Sequence, residues 1–533
     1  MSRLLNHLIE TAAQARPEAE ALAYRGVRLS YGELLHGIEA TAAGLQGLGL
    51  KPGVRVAVYL PKQLETVQAL FGTALAGGIL VPINPLLKAL QVAHILDDSG
   101  ATVLITSRDR AKLLTDVLPA CKSLRHLVTV DAEAEPGHFP SLNSTGWQAL
   151  QSGSNPSRAK ITEADTAAIL YTSGSTGKPK GVALSHRNLA LGAESVAHYL
   201  GTQSSDRLLA VLPLSFDYGL SQLTTTFHAG ASVVLMNYLL PREVLRAVSQ
   251  EGITTLAGVP SLWMQLAPLA WPKGAANTLR TITNSGGHLP IPVIEQLRER
   301  LPTTQLFLMY GLTEAFRSSF LPPEELATRP GSMGKAIPHA ELAVVRPDGT
   351  PCDPGEEGEL VHAGPLVTQG YWNNPEETAR RFRPPPVAMA DRTVDERVVW
   401  SGDTVTLDED GYLYFVGRED AMIKTSGYRV SPSEVEEVVH RTGLVSEVAV
   451  FGVSHPLLGQ GIVAVVSPSP DSQPEGSESA LGEQILQACK VALPGFMVPL
   501  HIAVISQLPK TPNGKIDRQS LQRDFQGHFV DAS

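Results

Sequence analysis

The sequence predicts an α/β fold with a large composite N-terminal lobe and a small mobile α+β C-terminal domain. Short β-type runs such as VRVAVYL, TVLITS and AAILYTS alternate with helical stretches through about 310 residues, a pattern typical of two parallel-type α/β subdomains. From Met333 onward, turns such as PDG and DEDG separate short strands and predict a β-barrel-like piece. A further boundary after Gly417 predicts the small domain.

Composition limits the classes of function. The chain has 533 residues, of which 43% are hydrophobic and 18% are charged, so neither a disordered nor a fibrous protein is expected. Lysine and arginine number 43, and aspartate and glutamate number 53, which gives a formal net charge of −10. A protein that binds nucleic acid by neutralising phosphates needs a basic surface, and we therefore expect no nucleic-acid partner.

The N-terminus, two apolar runs and the cysteines bear on location. Residues 4–13 show helical apolar spacing that ends before Pro17, which predicts an amphipathic helix and not a signal peptide. The uncharged runs 66–87 and 218–241 contain glycines that interrupt any membrane span, so both are interpreted as core. A cytoplasmic protein is expected, because three widely separated cysteines form no disulfide or zinc pattern: Cys121, Cys352 and Cys489.

The first helix of the small domain has recognisable end signals. Ser431 and Glu434 have the spacing of a capping box, Pro432 stands at the first helical position, and Gly443 suits the C-terminal cap. The strand patterns EVAVFGV and IVAVV follow, and then another helix near residues 481–492. This order indicates a small α+β unit.

The strongest chemical signal follows the strand AAILY. Glycines let the backbone approach a ligand closely, while hydroxyls, amides and lysines offer donors and positive charge, so the run predicts a polyphosphate cradle. It is not a Walker A loop, because Thr172 stands where that motif has its first glycine and Pro179 follows the lysine. The candidate phosphate-binding residues are Thr172, Ser173, Gly174, Ser175, Thr176, Gly177, Lys178 and Lys180.

At this point the sequence resembles the adenylate-forming superfamily of acyl-CoA synthetases, nonribosomal-peptide adenylation domains and firefly luciferase. Besides YTSGSTGKPKG, the resemblance is carried by YGLTEA at 310–315, GELVHAGPLVTQGYW at 358–372, SGDTVTLDEDGYLYFVGRED at 401–420 and PKTPNGKIDR at 509–518. It implies an adenylate-forming lobe at 1–418, a hinge at 419–421 and a mobile AMP-binding-enzyme domain at 422–533.

The resemblance also implies roles at the nucleotide. Tyr310 would stack on adenine, Asp403 would accept hydrogen bonds from the ribose hydroxyls, and Arg418 would contact ribose or phosphate. The strand LFLM is followed by Tyr310, Gly311, Thr313 and Glu314, so these four residues are expected at the carboxyl end of a strand, where open α/β sheets bind ligands. The remaining adenine-side residues are Gly286, Gly287 and Gly311.

The catalytic residues that the resemblance implies bind the charged groups of the reaction or offset their charge. Thr313 would touch a phosphate, and Glu314, with Thr176, would hold Mg²⁺, which favours one or two carboxylates together with substrate phosphates. Lys515 would span the attacking carboxylate and the α-phosphate of ATP, where a fixed cation lowers the barrier.

A second conformation is part of the same resemblance. The small domain would rotate about Asp420 and bring a different face to the cleft for attack by a thiol on the acyl-adenylate. Lys424, counted among the catalytic residues, would then face the site, and Ser426 and Gly427 would border the path of a pantetheine arm.

The acid-binding segment departs from the fatty and aryl acid ligases, which carry a histidine there. This chain reads LPLSFDYGLSQ, and amino-acid-activating members have a similar S-F-D arrangement. Asp217 either caps the helix predicted to start at Tyr218 or binds a substrate ammonium group. The other candidate pocket residues are Val259, Pro260, Ser261, His288 and Phe316.

The predicted function is activation of a carboxylic acid by ATP and Mg²⁺ to acyl-AMP with release of pyrophosphate, followed by transfer to CoA. The alternative acceptor is the phosphopantetheine of a carrier protein, loaded with an amino acid. A luciferase-like oxygenase and a noncatalytic nucleotide-binding protein stay as further alternatives.

Overall fold

The computed structural model describes residues 4–131, 139–153, 155–172, 179–272, 274–393, 395–418, 421–425, 428–455, 458–470, 478–493 and 495–529. Within these residues the strands form three sheets. None of the helices there combines the length and apolarity that crossing a membrane requires. All three cysteines are free and buried.

The first part of the chain builds a sheet that is parallel except at one edge. Its elements are α1 (His7–Ala15), β1 (Glu20–Tyr24), β2 (Val27–Ser30), α2 (Tyr31–Gly47), β3 (Arg55–Tyr59), α3 (Leu64–Leu75), β4 (Ile79–Pro82), α4 (Ala89–Ser99), β5 (Val103–Thr106), α5 (Arg108–Leu113), β6 (His126–Thr129), β7 (Asn143–Gly146), α6 (Trp147–Leu150), β8 (Thr166–Thr172) and β9 (Lys180–Ser185). Seven of these strands form the sheet in the order β7-β6-β5-β3-β4-β8-β9, and only β8 and β9 pair antiparallel. The strands β1 and β2 belong to the second sheet. Buried parallel strands give continuous apolar runs, which explains why these strands could be predicted from the sequence.

The second part builds another parallel sheet. Its elements are α7 (His186–Leu200), β10 (Arg207–Ala210), α8 (Asp217–His228), β11 (Ser232–Leu235), α9 (Pro241–Gln250), β12 (Thr255–Gly258), α10 (Pro260–Leu266), α11 (Ala275–Thr278), β13 (Thr281–Asn284), α12 (Ile291–Arg300), β14 (Gln305–Tyr310) and β15 (Ser319–Leu321). The strands β1, β11, β10, β12, β13 and β14 are parallel neighbours in that order. Phe227 of α8 meets Phe71 of α3 edge-on with ring centroids 5.6 Å apart, so apolar packing joins the two subdomains.

An antiparallel extension continues this second sheet. Its elements are β16 (Ser332–Ala336), β17 (Glu341–Val345), β18 (Gly358–Ala363), α13 (Pro375–Arg381), β19 (Phe382–Arg383), β20 (Val398–Leu407) and β21 (Leu413–Arg418). The strand β15 pairs with both β14 and β16, so among the described residues the predicted third piece is one sheet with the second subdomain.

The small domain has mixed α+β structure. Its elements are β22 (Ile423–Thr425), β23 (Tyr428–Val430), α14 (Pro432–Arg441), β24 (Val445–His455), β25 (Gly459–Pro468), α15 (Glu478–Ala492), β26 (His501–Val504) and α16 (Arg518–Asp524). The predicted capping box is wrong: Ser431 is the N-cap residue, but its hydroxyl donates to the carbonyl of Val416 and makes no cap hydrogen bond. The side chain thus ties the small domain to the last strand of the large lobe.

Candidate active site

The candidate site lies where three neighbouring parallel strands end. The strands β12, β13 and β14 finish at Gly258, Asn284 and Tyr310, and their parallel register brings these ends to one edge. Ligands of open α/β sheets bind at this edge, as the sequence predicted for Tyr310. The loops that follow carry Gly286, Gly287 and a short 3-10 helix at Thr313–Ala315.

A hydrogen-bonded group on one side of the edge suits a nucleoside. The Tyr310 hydroxyl donates to Asp403 Oδ2 at 2.5 Å, and Arg418 Nε pairs with Asp403 Oδ1 at 2.8 Å. Pairing between β20 and β21 places Asp403 opposite Arg418. Burial, with the adjacent carboxylate, raises the pKa of Tyr310, so this ring keeps its proton. The carboxylate is therefore fixed on two sides.

A histidine that the sequence reading missed lies behind Tyr310. The rings of Tyr310 and His362 stack with centroids 6.0 Å apart and planes inclined by 25°. Burial lowers the pKa of His362 to about 3, so the ring is uncharged at neutral pH. A flat neutral ring of this kind packs against one face of Tyr310 and fixes the orientation of that side chain.

Glu314 lines the same cavity as Thr172 and Lys180, the two described residues of the predicted phosphate cradle. Its Oε1 accepts a hydrogen bond of 2.5 Å from the Tyr371 hydroxyl, and its carbonyl accepts from the Thr368 amide at 2.9 Å. No cluster of three metal-ligating side chains occurs in the described residues. One oriented carboxylate beside substrate phosphates fits Mg²⁺, which keeps most of its ligands as water and phosphate oxygens.

The strands that border the phosphate loop are paired. Thr172 ends β8 and Lys180 begins β9, in register with each other. Lys180 Nζ forms an ion pair of 3.1 Å with Glu377 of α13. A cavity of about 360 Å³ lies between the lobes. It is lined by Thr172, Lys180 and Glu377, together with Glu314, Tyr371, Arg381 and Arg418.

Lys515 reaches this cleft from the small domain. A Cβ atom built on Gly286 would stand 3.3 Å from Lys515 Cε and 3.7 Å from Nζ, and Gly286 has a φ of +83°. Glycine is therefore needed here both for its backbone conformation and for the approach of the lysine. The ammonium group also lies 5.4 Å from the centre of the Phe216 ring.

Besides the Ser431–Val416 hydrogen bond, further contacts hold the small domain in this orientation. Asn84 Nδ2 donates to the carbonyl of Pro512 at 2.8 Å and to Asn513 Oδ1 at 3.0 Å, and Ser261 Oγ donates to the carbonyl of Gly514 at 2.8 Å. His288 Nε2 and Glu437 Oε2 of α14 are 2.9 Å apart. Ser261 and His288 thus contact the small domain, and their expected place in the acid pocket stays a prediction.

Asp217 is buried in the cleft wall and is only 5% exposed. Asp217 is not the N-cap residue as predicted, because α8 has Phe216 at that position and Asp217 lies in its first turn. Burial raises the pKa of the Asp217 carboxyl, while the positive charges of Arg317 and Lys515 oppose the shift. The carboxylate therefore lies within reach of two cations, although neither forms an ion pair with it among the described residues.

A strained turn follows Glu314. The Arg317 amide donates to the Ala315 carbonyl at 2.7 Å, and Phe316 between them has φ 55° and ψ −69°, which is a γ-turn. Such a conformation costs about 1–3 kcal/mol in a bulky residue and persists only where its surroundings enforce it. The Phe316 ring packs on Gly192 in the core, so Phe316 is not exposed to the pocket as the sequence suggested.

Comparison with known proteins identifies the fold. The family model described as AMP-binding enzyme matches residues 9–372, and the AMP-binding enzyme C-terminal domain matches residues 434–515. The chain belongs to this family. The match confirms the resemblance to adenylate-forming enzymes that the sequence motifs indicated.

Three similar proteins illustrate the range of the family. A feruloyl-CoA synthase from Amycolatopsis sp is 32% identical over 96% of this chain and 97% of its own length. An L-proline–[L-prolyl-carrier protein] ligase from Streptomyces coelicolor is 33% identical over 93% of this chain and 92% of its own. The crystal structure of the anthranilate CoA ligase AuaEII with anthranoyl-AMP is 26% identical, with a TM-score of 0.88 over 99% of this chain and 98% of that one.

Several predicted site residues of this AMP-binding enzyme lie outside the described residues. The side chain of Lys424 likewise lies outside the described part of the chain, although its backbone belongs to β22. Their roles stay predictions from the motifs. These residues are Ser173, Gly174, Ser175, Thr176, Gly177, Lys178, Asp420, Ser426 and Gly427.

Sequence reasoning missed Arg317, Tyr371 and Asn84. Arg317 had a readable signal, because it is the sole charge between Glu314 and Glu324 in a run of apolar and small residues. Tyr371 and Asn84 had no such signal, because each contacts residues that are distant in the sequence. Tyr371 contacts Glu314, and Asn84 contacts Pro512 and Asn513.

Proposed function

We propose that this protein is an AMP-forming acid–thiol ligase that converts a carboxylic acid to acyl-AMP and then to a CoA thioester. The observation that carries the proposal is the position of Lys515, which the small domain inserts between Gly286 and the wall that holds Asp217. A cation at this point lies between a nucleotide on the Tyr310 side and an acid on the Asp217 side.

The first step joins two anions. A carboxylate oxygen of the acid attacks the α-phosphorus of ATP, the bond from that phosphorus to the bridging oxygen breaks, and pyrophosphate leaves with the electron pair. Lys515 offsets the charge that develops as the anions meet. Burial lowers the pKa of Lys515, while the carboxylates of Asp217 and Asp403 act in the opposite direction and help it to keep its proton.

The large lobe holds the nucleotide for this step. Asp403, fixed by Tyr310 and Arg418, is placed to accept hydrogen bonds from ribose hydroxyls. Glu314, oriented by Tyr371, would hold Mg²⁺ together with Thr176. The ion, when bound, offsets negative charge on the phosphates.

The second step transfers the acyl group. The thiol sulfur attacks the acyl carbon, the bond from that carbon to the AMP oxygen breaks, AMP leaves, and the thiol proton passes to solvent. Lys515 has no role here, so rotation about Asp420 can withdraw it and present Lys424, Ser426 and Gly427 to the pantetheine arm. The names of similar proteins, a feruloyl-CoA synthase and an anthranilate CoA ligase, support CoA as the acceptor.

A second candidate is activation of an amino acid for a carrier protein. Asp217 favours it, because a buried carboxylate without an ion pair in the described residues suits a substrate ammonium group. The similarity to a prolyl-carrier-protein ligase points the same way. Asp217→Ala should then abolish activation of amino acids and spare simple acids, and a wild type that activates no amino acid contradicts this candidate.

The reaction products test the main proposal. The protein is incubated with ATP, Mg²⁺ and a panel of fatty, aryl and amino acids, with and without CoA. We expect acid-dependent AMP and pyrophosphate, with a thioester only when CoA is present. ADP as the product, or oxygen consumption without a thioester, contradicts it. We place the reaction in the cytoplasm, which the three free, buried cysteines support.

A further inference from the structure

Arg317 is a buried arginine near Tyr218 and Asp217, on the side of Lys515 where we propose that the acid binds. It is 2% exposed, and Nη1 donates to Ser285 Oγ at 3.3 Å. Its guanidinium carbon lies 4.6 Å from the centre of the Tyr218 ring. Ser285 precedes Gly286, against which Lys515 packs, and Tyr218 follows Asp217. The positive charge of Arg317 is therefore placed among the residues that surround the acid.

No carboxylate of the described residues is in direct contact with this charge. Within the part of the chain that the structure describes, no hydrogen-bond partner of Arg317 Nε is found, and its guanidinium forms no ion pair with a carboxylate. Burying a charge is costly unless it is paired, and a guanidinium matches a carboxylate with two parallel hydrogen bonds. The site is thus complementary to an oxyanion that the protein does not supply.

Another arginine shows what a self-contained arrangement looks like in this chain. Arg329 also lies over an aromatic ring, with its guanidinium carbon 4.3 Å from the centre of Tyr412. It forms ion pairs with Glu325, Asp408 and Asp410. A structural arginine here thus has built-in carboxylates, whereas Arg317 has none in the described residues.

Arg317 and Asp217 interact through their charges but are not in direct contact. The charge of Arg317 acts on the Asp217 carboxyl more strongly than that of Lys515, yet the two residues form no ion pair. The reacting carboxylate and the α-phosphate already have a cation in Lys515. An additional anionic group on the substrate would give the guanidinium the direct partner that it lacks among the described residues.

We propose that Arg317 determines specificity by binding a second carboxylate, carried by the acid in addition to the carboxylate that becomes adenylated. The substrate class is therefore a dicarboxylic acid, and an amino dicarboxylic acid if Asp217 also binds an ammonium group. The γ-turn at Phe316 directs the chain so that Glu314 serves the phosphates and Arg317 the acid. This inference rests on the proposed function, because it names the substrate of the same site.

The test uses acid pairs that differ in one carboxylate: butanoate and succinate, hexanoate and adipate, benzoate and isophthalate, norvaline and glutamate. The kcat/KM for acid-dependent pyrophosphate release is measured for the wild type, Arg317→Met, Arg317→Lys and the control Arg329→Met. We expect the wild type to favour the second-carboxylate member of at least one pair. Arg317→Met should reduce that preference on the order of 10²-fold, mainly through KM. Arg317→Lys should keep part of the preference, and Arg329→Met should keep all of it.

Stability separates recognition from a structural role. Because an unpaired buried charge is removed, Arg317→Met should melt at the same or a higher temperature than the wild type without substrate. A lower melting temperature with an unchanged preference overturns the inference. So does a wild type that activates only monocarboxylic members, and in that case the proposed function stands. If no acid yields AMP and pyrophosphate, the proposed function fails as well.

Discussion

The two halves of the cleft differ in whether their charged side chains have direct partners within the protein. On the nucleotide side, Asp403 is bound by Tyr310 and Arg418, and Glu314 accepts from Tyr371. On the acid side, Asp217 and Arg317 are buried without ion pairs in the described residues. The nucleotide is common to every turnover, so its half can be preassembled. Under the proposals above, the substrate completes the acid half and supplies the direct partners of Asp217 and Arg317.

Replacing Lys515 should have the largest effect, because this residue bridges the two halves. Lys515→Ala should slow acyl-AMP formation on the order of 10²–10³-fold while thioester formation from preformed acyl-AMP continues. Each half-reaction is measured by itself, by pyrophosphate release and by thioester yield. The matched control is Lys510→Ala, because Lys510 lies in the same segment and pairs with Glu447 at 2.8 Å. Equal losses in both half-reactions would contradict the two-conformation scheme.

Tyr310→Phe tests the nucleotide half of the cleft, in which the carboxylates already have partners within the protein. It removes one donor from Asp403 while Arg418 stays, so we expect about a tenfold rise in the KM for ATP, the size of one charge-assisted hydrogen bond. The preference between the members of an acid pair should not change. Steady-state kinetics at saturating acid measure the first quantity, and a changed acid preference would show that the halves are not separate.

Asn84→Ala and Ser261→Ala test how contacts with the large lobe position Lys515 in the cleft. Each removes hydrogen bonds to the turn before Lys515, so each should slow acyl-AMP formation by about three- to tenfold. Thioester formation from preformed acyl-AMP should be unaffected or faster, because these contacts belong to the orientation seen here. Loss confined to thioester formation would argue against a docking role.

The pH dependence should show the smallest effect. Because burial lowers the pKa of Lys515, acyl-AMP formation should be full at pH values below that pKa and should fall as the pH rises through it, earlier than for an ordinary lysine. Asp217 raises the pKa of Lys515, so Asp217→Asn should move this alkaline limb to lower pH. Rates of pyrophosphate release between pH 6 and 10 measure the limb; a shift to higher pH, or no shift, would contradict this coupling.

The sequence predicted the parts of the molecule that depend on neighbouring residues in the chain. Apolar periodicity indicated the parallel strands and the helices, and the motifs indicated Tyr310, Glu314, Asp403 and Lys515. The errors lie where a distant partner decides. Ser431 has the spacing of a helix cap, but the Val416 carbonyl takes its hydroxyl. Arg317 was visible as a charge, but only the fold shows that no carboxylate in the described residues pairs with it.

The division of the cleft is tested most directly by the binding of two ligands to the wild type and to Arg317→Met. The ligands are AMP and the sulfamoyl-adenosine analogue of the acyl-AMP made from the preferred dicarboxylic acid. Melting temperature is the readout. The account predicts equal shifts with AMP in both proteins and a larger shift with the analogue in the wild type alone. A smaller AMP shift in Arg317→Met, or equal analogue shifts in both proteins, would contradict it.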